Sequence, residues 1–368
     1  MPDDTRSSAP ALRLFLWSRA AIWLLALVVV VGFDGALNAR RGEWDSSRLH
    51  ELGSAVDVWA RWDSDWFLRI AEHGYSWPSS TPAFFPLYPL LVAGLGRVLL
   101  DHYLLAGVLI SLAAGSAAFV LLYRLTRLRL GEEAARHTVL FLAVAPTSLF
   151  FGAVYSESLF LLLAVATFLL AERGRFWEAG AAAGLALLTR SAGVALLPAL
   201  VVLAWRRPDR RRSLAGIALA PLLFAIYPAV LAIWIGHPLA FLDAQRVVWE
   251  RRLSPAGPLG GVVAAVQDRE LLDLGVAFVL IALGIVAWRR IGPAYGLYTL
   301  TSVALPLTFV SDKVPLWSMQ RFAVVVFPAF MALATLTRSR RAVAITSTIL
   351  AAGLCVYVVR WALWYWVA

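Results

Sequence analysis

The chain holds one cysteine, one lysine and few charges of either sign. Its single thiol, Cys355, lies inside the last apolar run, which excludes a disulfide framework and a cysteine-built metal site. Charged residues make up 15% of the sequence and hydrophobic residues 61%, against averages of about 25% and about 45–50% in globular domains. An ordinary soluble domain is therefore excluded. The short alternation of apolar and polar residues that a membrane β-barrel requires is missing. So are an internal repeat between the halves and any cluster of His, Cys, Asp and Glu at metal-ligand spacing.

Long apolar runs recur from Ala20 to the C-terminus. Many can cross a hydrocarbon core of about 30 Å as helices, and a lipid-exposed backbone must satisfy its own hydrogen bonds. The fold class is thus all-α, a polytopic integral membrane protein with about 10–11 transmembrane helices. The first apolar segment has no convincing small-residue cleavage site after it and is read as an anchor.

The net charge of +10 resides in arginine, Lys313 being the lone lysine. The clusters are Arg124–Arg129 with Arg136, Arg173/Arg175, Arg206–Arg212, Arg289/Arg290 and Arg338–Arg341. They separate apolar runs as the positive-inside rule asks, so the charge signals topology and no nucleic-acid partner. Spans are expected near 14–33, 102–123, 137–154, 156–171, 213–235, 273–288, 292–310, 322–337 and 342–361. Segment 176–205 has arginine clusters at both ends, and its 30 residues give only about 45 Å of helix. A shallow helical hairpin with TRSAG at its tip is expected there, placing Arg190 part-way into the membrane. The whole chain, 1–368, reads as one transmembrane catalytic domain, with long outer connections at 34–101, 236–272 and 311–321. The expected location is the cell membrane, multi-pass, with the site opening outward. The aromatic close, RWALWYWVA, suits the outer interface.

One stretch is dense in ionisable groups: RWDSDWFLRIAEHGY, residues 61–75. On a helix, Trp59, Trp62, Trp66, Phe67 and Ile70 share a face that would lie flat in the headgroup zone. Asp65 then falls on the polar edge with Glu72, Arg61 and Arg69, while Asp63 falls among the aromatic side chains. A carboxylate turned into an apolar place is costly unless it has a task or a partner. Asp63 is the candidate general base; local capping or pairing is the plainer alternative. His73 falls on the same aromatic face, where it could meet substrate hydroxyls or serve as a structural residue. Prolines at 78, 82, 86 and 89 then break the chain before a short apolar helix near 87–100. Further along, YSES at 155–158 opens a span, with Ser156 at an N-cap and Glu157 near the positive end of the helix dipole.

RWDSDWFLRIAEHGY followed by AFFPLYPLL resembles the opening signature of the PIG-V-like mannosyltransferases. The likeness continues in APTSLFFGAVYSESLFLLL (145–163), LTRSAGVALLP (188–198), FLDAQRVVWER (241–251) and SMQRFAVVVFPAF (318–330). The resemblance implies a GT-C-type membrane glycosyltransferase that takes mannose from a polyprenyl-phosphate donor on the outer face. It also implies an acidic base in the first outer loop, a position that Asp63 occupies. The predominance of Arg over Lys and the richness in Ala point to a GC-rich bacterial genome.

Such transfer needs a base for the acceptor hydroxyl and cations for the leaving lipid phosphate. Candidates for the second role are Arg190, Arg246, Lys313 and Arg321, with Arg190 and Arg321 favoured because arginine holds a phosphate bidentately. Asp65, His73, Tyr155, Glu157 and Gln245 complete the expected substrate contacts. No cofactor is expected; Asp63, Asp65 and Glu157 are the oxygen donors that could share a hard divalent cation. The partners expected are the polyprenyl-phosphate-linked sugar, a lipid or glycan acceptor and membrane lipids. Two alternatives stay open: the same mechanism with another polyprenyl-linked sugar, and a transporter or flippase of such a lipid.

Overall fold

A computed structural model describes residues 8–367. It is helical nearly throughout, and five described helices are long and apolar enough to cross a membrane: Ala9–Gly32, Tyr103–Leu130, Arg210–Ile235, Leu271–Arg290 and Arg340–Ala362. Shorter apolar helices, including Leu87–Val98 and Phe327–Leu336, accompany them. Most expected spans appear within a few residues of their ends. The run expected at 137–154 does not stay one helix. It stops after Glu132–Ala143, and a 3-10 turn covers Pro146–Phe151. Proline has no N–H to continue the ladder and pushes the preceding residue into extended backbone, as Ala145 shows with φ −59° and ψ 143°. The run expected at 322–337 is likewise two helices, Met319–Ala323 and Phe327–Leu336.

The chain forms two compact units. The first comprises Met1–Gly74, Leu87–Leu162 and Ala334–Val367. In it the Ala9–Gly32 helix packs on Tyr103–Leu130 and Arg340–Ala362. The ring of Phe15 lies 4.8 Å from that of Phe119, and a Cβ at Gly115 would stand 2.5 Å from Phe15 Cζ. Small residues at such crossings let helices approach without clash. The same first helix carries a buried cation, Arg19. Its guanidinium donates to the carbonyls of Ala143, at 2.9 Å, and Ser148. Ala143 ends the Glu132–Ala143 helix and Ser148 lies in the turn after it, so the buried cation answers carbonyls on both sides of the break.

The second unit comprises Tyr75–Pro86 and Leu163–Leu333. Here Phe176–Leu187 and Leu196–Trp205 flank a 3-10 turn at Ser191–Ala195, where the sequence placed the hairpin tip. Gly180 lets the first of these helices touch its neighbour, since a Cβ there would lie 2.0 Å from Gly216 O. Leu271–Arg290 packs on Pro293–Thr308 around Leu274, Leu280, Val303 and Leu307. One departure from an all-helical reading is a small antiparallel ribbon, in which Arg251, Arg252 and Leu253 pair with Ser311, Val310 and Phe309.

Candidate active site

The ionisable stretch does not form the helix expected of it. Helix begins at Ser64 and runs to His73. Trp59, Trp62 and Asp63 precede it, so their placement on one helical face is corrected. Trp62 has φ +54°, a left-handed conformation that costs a bulky side chain on the order of 1–3 kcal/mol. It sits in a turn closed by Ser64 N–H to Arg61 O at 3.0 Å, with Arg61 N–H bonded to Ser64 Oγ at 3.1 Å.

Distant residues of the first unit hold this turn. The Tyr155 hydroxyl donates to Arg61 O at 3.2 Å and accepts from Asp63 N–H at 3.1 Å, gripping the backbone on both sides of Trp62. Val154 N–H bonds Trp59 O at 2.9 Å, and Trp361 Nε1 donates to Val58 O at 2.6 Å. The Trp62 ring packs against Trp44, Trp364 and Trp366, with centroids 5.7, 5.8 and 5.2 Å away. Such pairs contribute about 0.5–1.5 kcal/mol each beyond area burial, enough to offset the strain. Trp361, Trp364 and Trp366 near the C-terminus thus pack onto the turn, a contact the sequence did not reveal.

Asp63 is buried, at 8% exposure, and its side chain does not cap the helix it precedes. Asp65 lives differently. Its carboxylate accepts from Arg48 at 3.0 Å, Arg69 at 3.3 Å and Ser46 Oγ at 2.5 Å; Arg61, expected beside it, lies instead over the Trp364 ring. Burial opposes the charge of Arg48, but its bonds to Asp65 and Glu72 outweigh that and raise its pKa. His73 is exposed, with its ring 3.5 Å from Glu72. Tyr155 spends its hydroxyl on the backbone of the turn. Glu157 is fully buried at the start of the Glu157–Glu172 helix. No group of three His, Cys, Asp and Glu is placed to hold a metal among the described residues, so Asp63, Asp65 and Glu157 are not gathered for a cation.

Arg61 was read from the sequence only as a neighbour of Asp65. It is 5% exposed, and its guanidinium carbon stands 4.1 Å from the centre of the Trp364 ring. Burial pulls its pKa down to about 10, against the opposing pull of Asp45 and Asp57.

The second unit brings together the two cations favoured from the sequence. Arg190, at the entry to the Ser191–Ala195 turn, and Arg321 flank one ring, that of Phe322, at 5.3 and 5.6 Å. Arg321 is buried. The remaining candidates gather at the ribbon. Gln245 accepts from Arg251 at 3.3 Å, and Lys313 pairs with Glu250 at 3.3 Å and donates to Val248 O at 3.0 Å. Arg246 is exposed. Against that ring Arg321 is thus buried and Arg190 half-buried, whereas Arg246 and Lys313 are exposed.

Residues 34–206 match the family model described as Mannosyltransferase (PIG-V). That segment holds Asp63, Asp65, His73, Tyr155, Glu157 and Arg190; Gln245, Arg246, Lys313 and Arg321 lie beyond it. The chain is 34% identical over 146 residues to GPI alpha-1,6-mannosyltransferase 2 of Cricetulus griseus, covering 37% of this chain and 29% of that protein. With the protein of the same name from Homo sapiens it shares 34% over 129 residues, 32% of this chain and 26% of the relative. With GPI mannosyltransferase 2 of Drosophila melanogaster it shares 30% over 156 residues, 37% of this chain and 33% of the relative. The chain thus spans about a third or less of the curated relatives it matches. Among solved structures, ArnT from Cupriavidus metallidurans bound to undecaprenyl phosphate superposes with TM-score 0.56 at 15% identity, over 90% of this chain and 61% of that one. The apo form of ArnT gives 0.50 at 17% identity, over 77% and 56%. These likenesses establish a GT-C membrane fold. Over residues 34–206 the chain is thus similar to the PIG-V mannosyltransferases.

Proposed function

We propose that this protein is a membrane glycosyltransferase that moves a mannosyl residue from a polyprenyl-phosphate donor to a hydroxyl of a lipid or glycan acceptor. The reading rests above all on the turn at residues 58–64, where a buried carboxylate follows a strained tryptophan and distant side chains hold the backbone. Strain of this kind persists where surrounding structure imposes it and clusters at active sites. The match of residues 34–206 to a mannosyltransferase family supports the sugar, and the ArnT structure was solved with undecaprenyl phosphate, a lipid of the class proposed for the leaving group.

The chemistry is a direct displacement with inversion. The acceptor oxygen attacks the anomeric carbon while Asp63 takes the hydroxyl proton. The bond from that carbon to the phosphate oxygen breaks, and the lipid phosphate leaves with the electron pair. The charge on that phosphate calls for cations, a role suited to paired guanidinium groups. The site opens to the outer face, since arginine clusters mark the other side.

The test is transfer of labelled mannose from polyprenyl-phosphate mannose by membranes holding equal amounts of wild-type and Asp63→Asn protein. Loss of about 10²–10⁴-fold is expected for removal of a general base. Near-normal transfer by Asp63→Asn refutes the assignment. Sidedness is read by labelling in a Cys355→Ala background. A cysteine at Arg40 should react from outside and one at Arg211 should not; the reverse pattern inverts the topology.

A further inference from the structure

The turn holds more than its carboxylate. Three buried donors on it find no acceptor among the described residues: Nε of Arg61 and Nε1 of both Trp59 and Trp62. Buried polar atoms in folded proteins are paired almost without exception, and each orphan calls for an explanation. Arginine and indole nitrogens can only donate, so what is missing is an acceptor. Arg61 and Trp62 share a neighbour, Trp364, at 4.1 and 5.8 Å. The two acids whose charge reaches Arg61 are already engaged. Asp57 accepts from the backbone N–H groups of Glu51, Leu52 and Gly53 at 2.9–3.1 Å. Asp45 pairs with His50 at 2.6 Å.

We propose that Arg61 and Trp62 form a binding site for a phosphate oxyanion carried by a lipid substrate. This deepens the glycosyltransferase reading and rests on it for the choice of a lipid. An arginine 5% exposed whose Nε is unanswered is costly to bury unless a ligand anion completes it. Its planar fork suits two phosphate oxygens, and the unanswered indole N–H of Trp62, the next residue, is a neutral donor for the same anion. The phosphate could belong to the donor, as a polyprenyl monophosphate, or to the acceptor, as a phospholipid diester.

The experiment measures equilibrium binding to the detergent-purified full chain, without turnover. The probes are farnesyl phosphate and short-chain phosphatidylinositol. Arg61→Met keeps the length of the side chain and gives the surrounding tryptophans an apolar partner; replacing a buried ion in this way is often neutral or stabilising. It should keep the thermal midpoint and weaken one probe about tenfold or more, the charge-assisted contact being lost. Arg61→Lys, which retains charge without the fork, should fall between. Weakened farnesyl phosphate binding assigns the site to the donor, and weakened phosphatidylinositol binding to the acceptor. If wild type and both variants bind each probe within about twofold, which is near 0.4 kcal/mol, the site does not exist. Because Asp63→Asn is judged by transfer and Arg61→Met by binding, either reading can fail while the other stands.

Discussion

Asp63 and Asp65 stand two positions apart in RWDSDW and meet opposite fates. Asp65 is answered by two arginines and a serine, the ordinary arrangement of a carboxylate near water. Asp63 follows a left-handed tryptophan, is buried, and has its backbone N–H fixed by a tyrosine 92 residues away. Acids of the first kind are common and contribute little. The second requires the fold to hold a costly conformation, which marks a position maintained for something other than stability. The sharpest way to break the comparison is to neutralise both. Asp63→Asn should lower transfer about 10²–10⁴-fold at unchanged abundance. Asp65→Asn should leave transfer intact and cost about 0–1 kcal/mol of stability. Equal losses in the transfer assay would erase the distinction.

Next in size is the tyrosine. Tyr155→Phe keeps the ring among Phe150, Phe67 and Trp361 but takes the hydroxyl from Asp63 N–H, while Arg61 O keeps Ser64 N–H. Taking the partner from a buried backbone group costs about 1–3 kcal/mol. The turn should loosen around Trp62, and kcat should fall by roughly tenfold, about 1.4 kcal/mol of barrier, with KM little changed. A raised KM at constant kcat would mean that Tyr155 touches substrate and does not position the base.

Much of this architecture was legible and the decisive part was not. Spans such as Leu271–Arg290 and Arg340–Ala362 were readable because a membrane helix is a local event: continuous apolar residues bounded by arginine. The break at Pro146 carried its own signal in Ala-Pro, which the length of the apolar run masked. The approach of Arg190 and Arg321 to one ring, that of Phe322, was within reach, since both had been favoured as phosphate-binding cations. The turn at Trp62 was beyond it. Nothing in WARWDSDW specifies a positive φ at a tryptophan; that conformation is imposed by Tyr155, Trp364 and Trp366, from elsewhere in the chain. The helical wheel picked out Asp63 over Asp65, yet its reason, a shared aromatic face, does not exist. For the same reason Arg61 passed as a surface partner of Asp65.

The C-terminal aromatics offer a smaller probe of how the turn is held. Trp366→Leu removes one of three rings on Trp62 while leaving an apolar side chain. The ring contact is worth about 0.5–1.5 kcal/mol beyond area, so the thermal midpoint should drop by a few degrees and transfer should fall less than in Tyr155→Phe. Full transfer at an unchanged midpoint would show that Trp44 and Trp364 suffice.

The smallest effect belongs to Arg48, and it tests the other side of the comparison. Arg48 lies between Asp65, at 3.0 Å, and Glu72, at 3.2 Å, with 22% of its side chain exposed. Burial works against its charge, and the two carboxylates more than compensate. Arg48→Gln withdraws the cation that both acids share, but Asp65 retains Arg69 and Ser46, and Glu72 retains its neighbour His73. The pairs are partly screened by water, so the loss should be about 0–1 kcal/mol. It should shrink further as salt rises, because the Debye length falls from about 10 Å at 0.1 M to about 3 Å at 1 M. Transfer should match wild type at every salt concentration. If Arg48→Gln instead reduces transfer on the scale of Asp63→Asn while the midpoint holds, the network around Asp65 takes part in the chemistry. The division between a held acid and a solvated one would then be misplaced.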